Sequence, residues 1–114
     1  MMSVKNIYIV GIGLIGGSIA KDVKRLNPNL NIFGIDSNAG HLEEALSLKI
    51  IDKMATLEDL AQADFVVLST PVDVAVKLLP EILDIINDET LVMDVGSTKR
   101  DICKAVEDHK KRRN

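Results

Sequence analysis

The tightest constraint on this chain lies near its amino terminus, where the apolar run Ile7-Tyr8-Ile9-Val10 passes into Gly11-Ile12-Gly13-Leu14-Ile15-Gly16-Gly17-Ser18. A β-branched and aromatic run without alternation fits a strand buried on both faces. The G-x-G-x-x-G spacing that follows is the pattern of a dinucleotide-binding turn. In that role Gly11 permits the tight turn, Gly13 lets the backbone approach a pyrophosphate, and Gly16 lets the next helix pack closely on its strand. The helix opening at Leu14 would aim its free N–H groups, those of Leu14 and Ile15 among them, and its positive dipole end at two phosphates.

Such a turn needs a strand before it, a helix after it and an acid at the end of the following strand. Leu14, Ile15, Ile19, Ala20, Val23 and Leu26 recur at helical spacing and are expected inward, with Lys21, Asp22, Lys24 and Arg25 outward. Asn27-Pro28-Asn29 ends that helix, and the apolar stretch Leu30–Ile35 stops at Asp36, about 20 positions beyond Gly16. A carboxylate there accepts hydrogen bonds from ribose hydroxyls and repels a 2′-phosphate. Ser37 and Asn38 supply no arginine for such a phosphate, so NAD is the expected cofactor. The competing reading makes Asp36 a cap for the next helix.

The remaining chain alternates. A helix is expected over 38–49, with Leu42, Ala45, Leu46 and Leu48 inward and His41 an exposed surface histidine. A short strand follows at 50–55, and Thr56 with Asp59 three residues on predicts a capped brief helix to about Gln62. Asp64–Ser69 reads as a buried strand. Thr70 is then the expected N-cap and Pro71 the first residue of a helix reaching Ile86, which Pro80 should kink or divide. Thr90–Val95 is the last clear strand, and Gly96-Ser97-Thr98-Lys99 leads into a final helix holding Cys103 as a packing residue.

This alternation predicts an α/β fold, a doubly wound parallel sheet of the Rossmann NAD-binding kind in a single domain spanning 1–114, with strand order 3-2-1-4-5. Ligands bind such sheets beyond the carboxyl ends of the strands, where the order reverses. The residues that packing leaves unexplained fall at those ends: Gly11 to Gly16, Asp36 and Ser37, Ser69-Thr70-Pro71, and Gly96 to Lys99.

Composition removes other classes. The net charge of −3 gives no reason to expect nucleic acid or an anionic membrane as partner, and 3% aromatic residues provide no stacking platforms for single strands. No apolar run approaches the ~20 residues of a membrane span. The first strand begins too early to leave room for a signal peptide, and the single cysteine fits a reducing cytoplasm. The closing Lys110-Lys111-Arg112-Arg113 reads as a solvated helix end, and no metal site is expected.

Taken together, residues 11–18, Gly34-Ile35-Asp36-Ser37-Asn38, Ser69-Thr70-Pro71-Val72 and Asp94-Val95-Gly96-Ser97-Thr98-Lys99 resemble the amino-terminal domain of prephenate dehydrogenases and their arogenate-using relatives. The resemblance implies oxidative decarboxylation of prephenate to 4-hydroxyphenylpyruvate, with hydride passing to NAD, in tyrosine biosynthesis. It implies a catalytic part for Ser97, which matches a serine near the substrate hydroxyl and nicotinamide, and for Lys99, at a position that assists anionic substrate binding; the competing readings make Ser97 a helix N-cap and Lys99 a surface charge in the first helical turn. The family's catalytic histidine lies in a His-Pro-x-Ala-Gly-like segment, and His109 lacks the following proline. That segment and the helical carboxy-terminal domain, which supplies substrate-binding arginines and a homodimer interface, are expected to be absent from this chain. Little or no turnover is therefore expected of it alone. The alternatives are the cofactor domain of another hydroxyacid or imine dehydrogenase, and a freestanding NAD-binding or redox-sensing module.

Overall fold

Side chains alternate across a strand, and in the first strand that alternation defines the two sides of the molecule. A computed structural model describes residues 5–94. Strand β1 (Asn6–Val10) sends Ile7 and Ile9 to one face of the sheet and Tyr8 and Val10 to the other. Parallel neighbours flank it: β2 (Asn31–Ile35) and then β3 (Lys53–Met54) on one side, β4 (Phe65–Leu68) and β5 (Leu91–Asp94) on the other. The order is β3-β2-β1-β4-β5, as the alternation predicts, with the reversal between β1 and β4. Right-handed crossovers force this arrangement to carry helices on both faces.

On the first face, Ile7, Ile9, Ile32 and Val67 pack with Ala20 of α1 (Leu14–Leu26) and with Leu42 and Ala45 of α2 (Ala39–Ser47). On the second, Tyr8, Val10, Val66 and Leu68 meet Leu60 of the 3-10 helix Leu57–Gln62 and Ala75, Leu79, Ile82 and Leu83 of α3 (Val72–Ile85). Tyr8 stacks on its register partner Phe33, ring centroids 4.4 Å apart.

Several expectations are corrected. Leu14, Ile15 and Leu26 do not face inward; they are 95%, 60% and 86% exposed. Gly16, Gly17 and Ala20 form the buried face of α1 instead, because the small residues let the helix settle onto the turn and swing its first large side chains outward. In α2, Leu42 and Ala45 are buried whereas Leu46 and Leu48 are exposed, the helix ending at Ser47 before the positive φ of Lys49. The third strand shrinks to two residues.

Pro80 does not divide α3, which runs as one helix through it. Buried Ala75 and Leu79 before the proline, and Ile82, Leu83 and Ile86 after it, hold both halves on the sheet despite one lost backbone bond. The cap of α3 is Pro71, whose carbonyl accepts from Val74 and Ala75 at 3.0 and 2.8 Å; Thr70 is not the cap. The brief helix after Thr56 forms as expected but with 3-10 geometry. The Asp59 carboxylate accepts from the Thr56 backbone N–H at 2.9 Å.

Candidate functional site

The two edges of the sheet treat their polar groups differently. At the amino-terminal edge, protein partners hold them, as they do Asp36 at the other edge, where two hydroxyls are the exception. Asp64 accepts from the backbone N–H groups of Lys5 and Asn6, both at 2.9 Å, and the Thr90 hydroxyl donates to the Ala63 carbonyl at 2.7 Å. Asp52 accepts from the Ile32 N–H at 2.8 Å and from Lys24 at 2.9 Å. At the carboxyl edge, the hydroxyls of Ser69 and Thr70 are buried with no hydrogen-bond partner among the described residues. Burying a hydroxyl unpaired costs about 1–3 kcal/mol, so such groups point to a partner outside the chain.

The three glycines of the turn have different reasons to be glycine. Gly11 has φ +96°, a left-handed conformation, and a Cβ there would stand 2.8 Å from Thr70 Cγ2. Its N–H donates to the Ile35 carbonyl at 2.7 Å, tying the ends of β1 and β2 together. A Cβ on Gly16 would be driven into the Gly11 carbonyl oxygen. Gly13 is unlike both: its φ is −92° and a Cβ would have nothing within 4 Å among the described residues. Gly13 caps α1 without any side-chain hydrogen bond, and the first turn holds no acid to neutralise the helix dipole.

Beside the turn lies a cavity of about 690 Å³ lined in part by Gly11, Gly13, Asp36, Ser37, Ser69, Thr70 and Pro71. Seven of the residues singled out in the sequence thus share one space drawn from the ends of β1, β2 and β4. Gly16 lies buried beneath the turn, and the side chains of Leu14 and Ile15 project into solvent. Ser97 and Lys99, with Gly96, the final helix, Cys103 and His109, lie outside the described residues.

Asp36 is not the cap of α2. Asn38 is, its side-chain oxygen accepting from the N–H groups of Gly40 and His41. The Asp36 carboxylate, only 12% exposed, links the loops instead: Oδ2 accepts from the Ile12 N–H and Oδ1 from the Asn38 N–H, both at 2.8 Å. His41 Nδ1 stands 3.4 Å from Oδ2. The histidine is exposed as expected, yet it borders the cavity, which sequence reasoning missed. Missed too were Ala55, Thr56 and Leu57 after β3 and Val74 and Leu78 of α3, which give the cavity its apolar wall. The available signal for the first three was position: they follow the carboxyl end of a strand, like every other group at the site.

Among the described residues no group of three or more histidine, cysteine or acidic side chains is placed to hold a metal ion, and no helix is long and apolar enough to cross a membrane. A parallel sheet with this strand order, a glycine turn under an open helix end and an acid closing β2 define a Rossmann-type nucleotide-binding domain. The sequence pattern of the prephenate dehydrogenase nucleotide-binding domain matches residues 19–114. The chain belongs to the prephenate dehydrogenase family. It is 38% identical over 99 residues to prephenate dehydrogenase of Bacillus subtilis, a match covering 84% of this chain and 27% of that protein. The crystal structure of Aquifex aeolicus prephenate dehydrogenase with hydroxyphenyl propionate and NAD+ superposes with a TM-score of 0.79 at 34% identity, covering 97% of this chain and 40% of that one. Synechocystis arogenate dehydrogenase gives 0.83 at 26% identity, covering 92% of this chain and 37% of that one. The chain therefore spans well under half the length of these relatives.

Proposed function

We propose that this chain binds NAD across the carboxyl edge of its sheet and serves as the cofactor domain of a prephenate dehydrogenase. Gly13 carries the reading: none of the described residues fills the space beside it, so on this reading the missing side chain answers to a ligand. In this reading the N–H groups at the start of α1, near Gly13, Leu14 and Ile15, hold the pyrophosphate, with Gly11 and Gly16 shaping the turn. Asp36 and Ser37 bind the adenosine ribose, the apolar wall takes the adenine, and Ser69, Thr70 and Pro71 border the second nucleoside. The unpartnered hydroxyls of Ser69 and Thr70 support that last assignment.

NAD, when bound, supplies the hydride acceptor for oxidative decarboxylation of prephenate to 4-hydroxyphenylpyruvate. The protein must place the reacting C–H, receive the hydroxyl proton and hold the substrate carboxylates. Ser97 is proposed to hydrogen-bond near the substrate hydroxyl and Lys99 to attract the anionic substrate. The reading extends to a cytoplasmic enzyme, supported by the single cysteine, and to homodimerisation through a further domain.

Calorimetric titration with NAD+ and NADP+ tests the cofactor assignment. Saturable NAD+ binding, preferred at least about tenfold over NADP+, is the expected result. A preference for NADP+ would remove the role given to Asp36, and binding of neither would overturn the cofactor reading.

A further inference from the structure

His41 stands between two spaces. One is the cavity beside Asp36; the other is a groove of about 500 Å³ between α1 and α2, which His41 borders together with Lys21, Arg25 and Glu44. The Asp36 carboxylate offers about four acceptor positions. The Ile12 and Asn38 N–H groups fill two, and His41 faces a third. The charge of the ribose corner therefore depends on His41. With a neutral imidazole, Asp36 presents a net negative charge. With an imidazolium, that charge is balanced and a cationic donor stands between the carboxylate and a groove bordered by Lys21 and Arg25 as well as by Asp22 and Glu44.

Resting on the NAD reading above, we propose that His41 is a specificity-determining residue, whose protonation relaxes the exclusion of a 2′-phosphorylated nucleotide. The neutral form leaves Asp36 to repel the phosphate. The protonated form neutralises Asp36 and pairs with the phosphate, which the groove admits beside Lys21 and Arg25. Histidine is the side chain that changes charge between about pH 5 and pH 8, so a comparison across that range tests the discrimination. The groups facing it act in both directions. Asp36 from the end of β2, Glu44 one turn along α2, and Lys21, Asp22 and Arg25 of α1 are the charged groups that border it, of both signs. Arg25 is itself held by Asp22 at 2.8 Å.

The test compares dissociation constants of NAD+ and NADP+ at about pH 6 and about pH 8.5. The wild-type chain, His41→Gln and His41→Arg are each titrated. The 2′-phosphate titrates in the same range, so the quantity that matters is the difference between wild type and His41→Gln. In the wild type the preference for NAD+ should fall on acidification by about fivefold more than in His41→Gln, the scale of one partly exposed ion pair. His41→Arg, cationic at both pH values, should show the weakened preference at both. Equal pH dependence in wild type and His41→Gln, with NAD+ still bound, overturns the proposal and leaves the cofactor reading standing. NAD+ binding at neither pH overturns both.

Discussion

The difference between Gly13 and Gly16 separates the demands of a ligand from those of the fold at single residues. Gly16 presses on the Gly11 carbonyl, and a methyl group there must displace the turn. Gly16→Ala should lose on the order of 1–3 kcal/mol of stability, as overpacked sites do. Gly13→Ala meets open space at an ordinary φ and should melt like the wild type. In the proposed cofactor reading its methyl group stands where the pyrophosphate approaches, so NAD+ affinity should fall by at least about tenfold. Denaturation and nucleotide titration of both variants check the pair; a Gly13→Ala chain that binds NAD+ normally would refute the pyrophosphate assignment. Motif spacing made these glycines and Asp36 legible in the sequence, because each role fixes a residue type at a fixed offset. It could not reveal that Thr70 is freed from capping, since that depends on where the first helical carbonyl of α3 falls. Nor could it place His41 against Asp36, a contact that depends on how α2 leaves β2.

At the scale of elements, apolar runs located the main strands and helices and the Thr56 cap located the brief helix, while the inner faces of the helices were read less well. Periodicity assigns large side chains to the core, and in α1 this holds for Ile19 and Val23, whereas Leu14, Ile15 and Leu26 turn outward because the contact with the turn requires small residues. Elements are also tied by polar contacts that no pattern announces. Lys24 of α1 donates to the Leu30 carbonyl at 2.7 Å and to Asp52, which in turn accepts from Ile32 of β2. Burial alone pushes the Asp52 carboxyl up, but the Ile32 N–H and Lys24 together outweigh it and hold the group below the ordinary carboxylate value. A folded-state value below the unfolded one stabilises the protein above the unfolded value, and that contribution is lost as pH falls through the folded one. The loss should therefore lie below about pH 4. Asp52→Asn should lower stability at neutral pH and flatten the acid limb of the profile, as read by urea midpoints. Parallel profiles for variant and wild type would show that the lock does not contribute.

Across the whole molecule, the strand order was legible because right-handed crossovers leave few ways to arrange alternating elements. That order splits the sheet into a half built on β1, β2 and β3 and a half built on β4 and β5, joined directly by the β1–β4 ladder. The candidate site crosses this seam: Gly11, Gly13 and Asp36 belong to one half, Ser69, Thr70 and Pro71 to the other. A ligand that contacts both halves binds only when they are correctly paired, so its binding free energy becomes folding free energy. NAD+ at one hundred times its dissociation constant should add about 2.7 kcal/mol, a rise of roughly 10 °C in melting temperature for a domain of this size. The rise should increase with the logarithm of NAD+ concentration while the transition stays single, and scanning calorimetry across a nucleotide series measures it. A melting temperature indifferent to NAD+ would show that the seam closes without the cofactor and that the cavity does not bind it. A transition that splits, with only one part rising, would show that the ligand touches one half alone and would remove Ser69, Thr70 and Pro71 from the site.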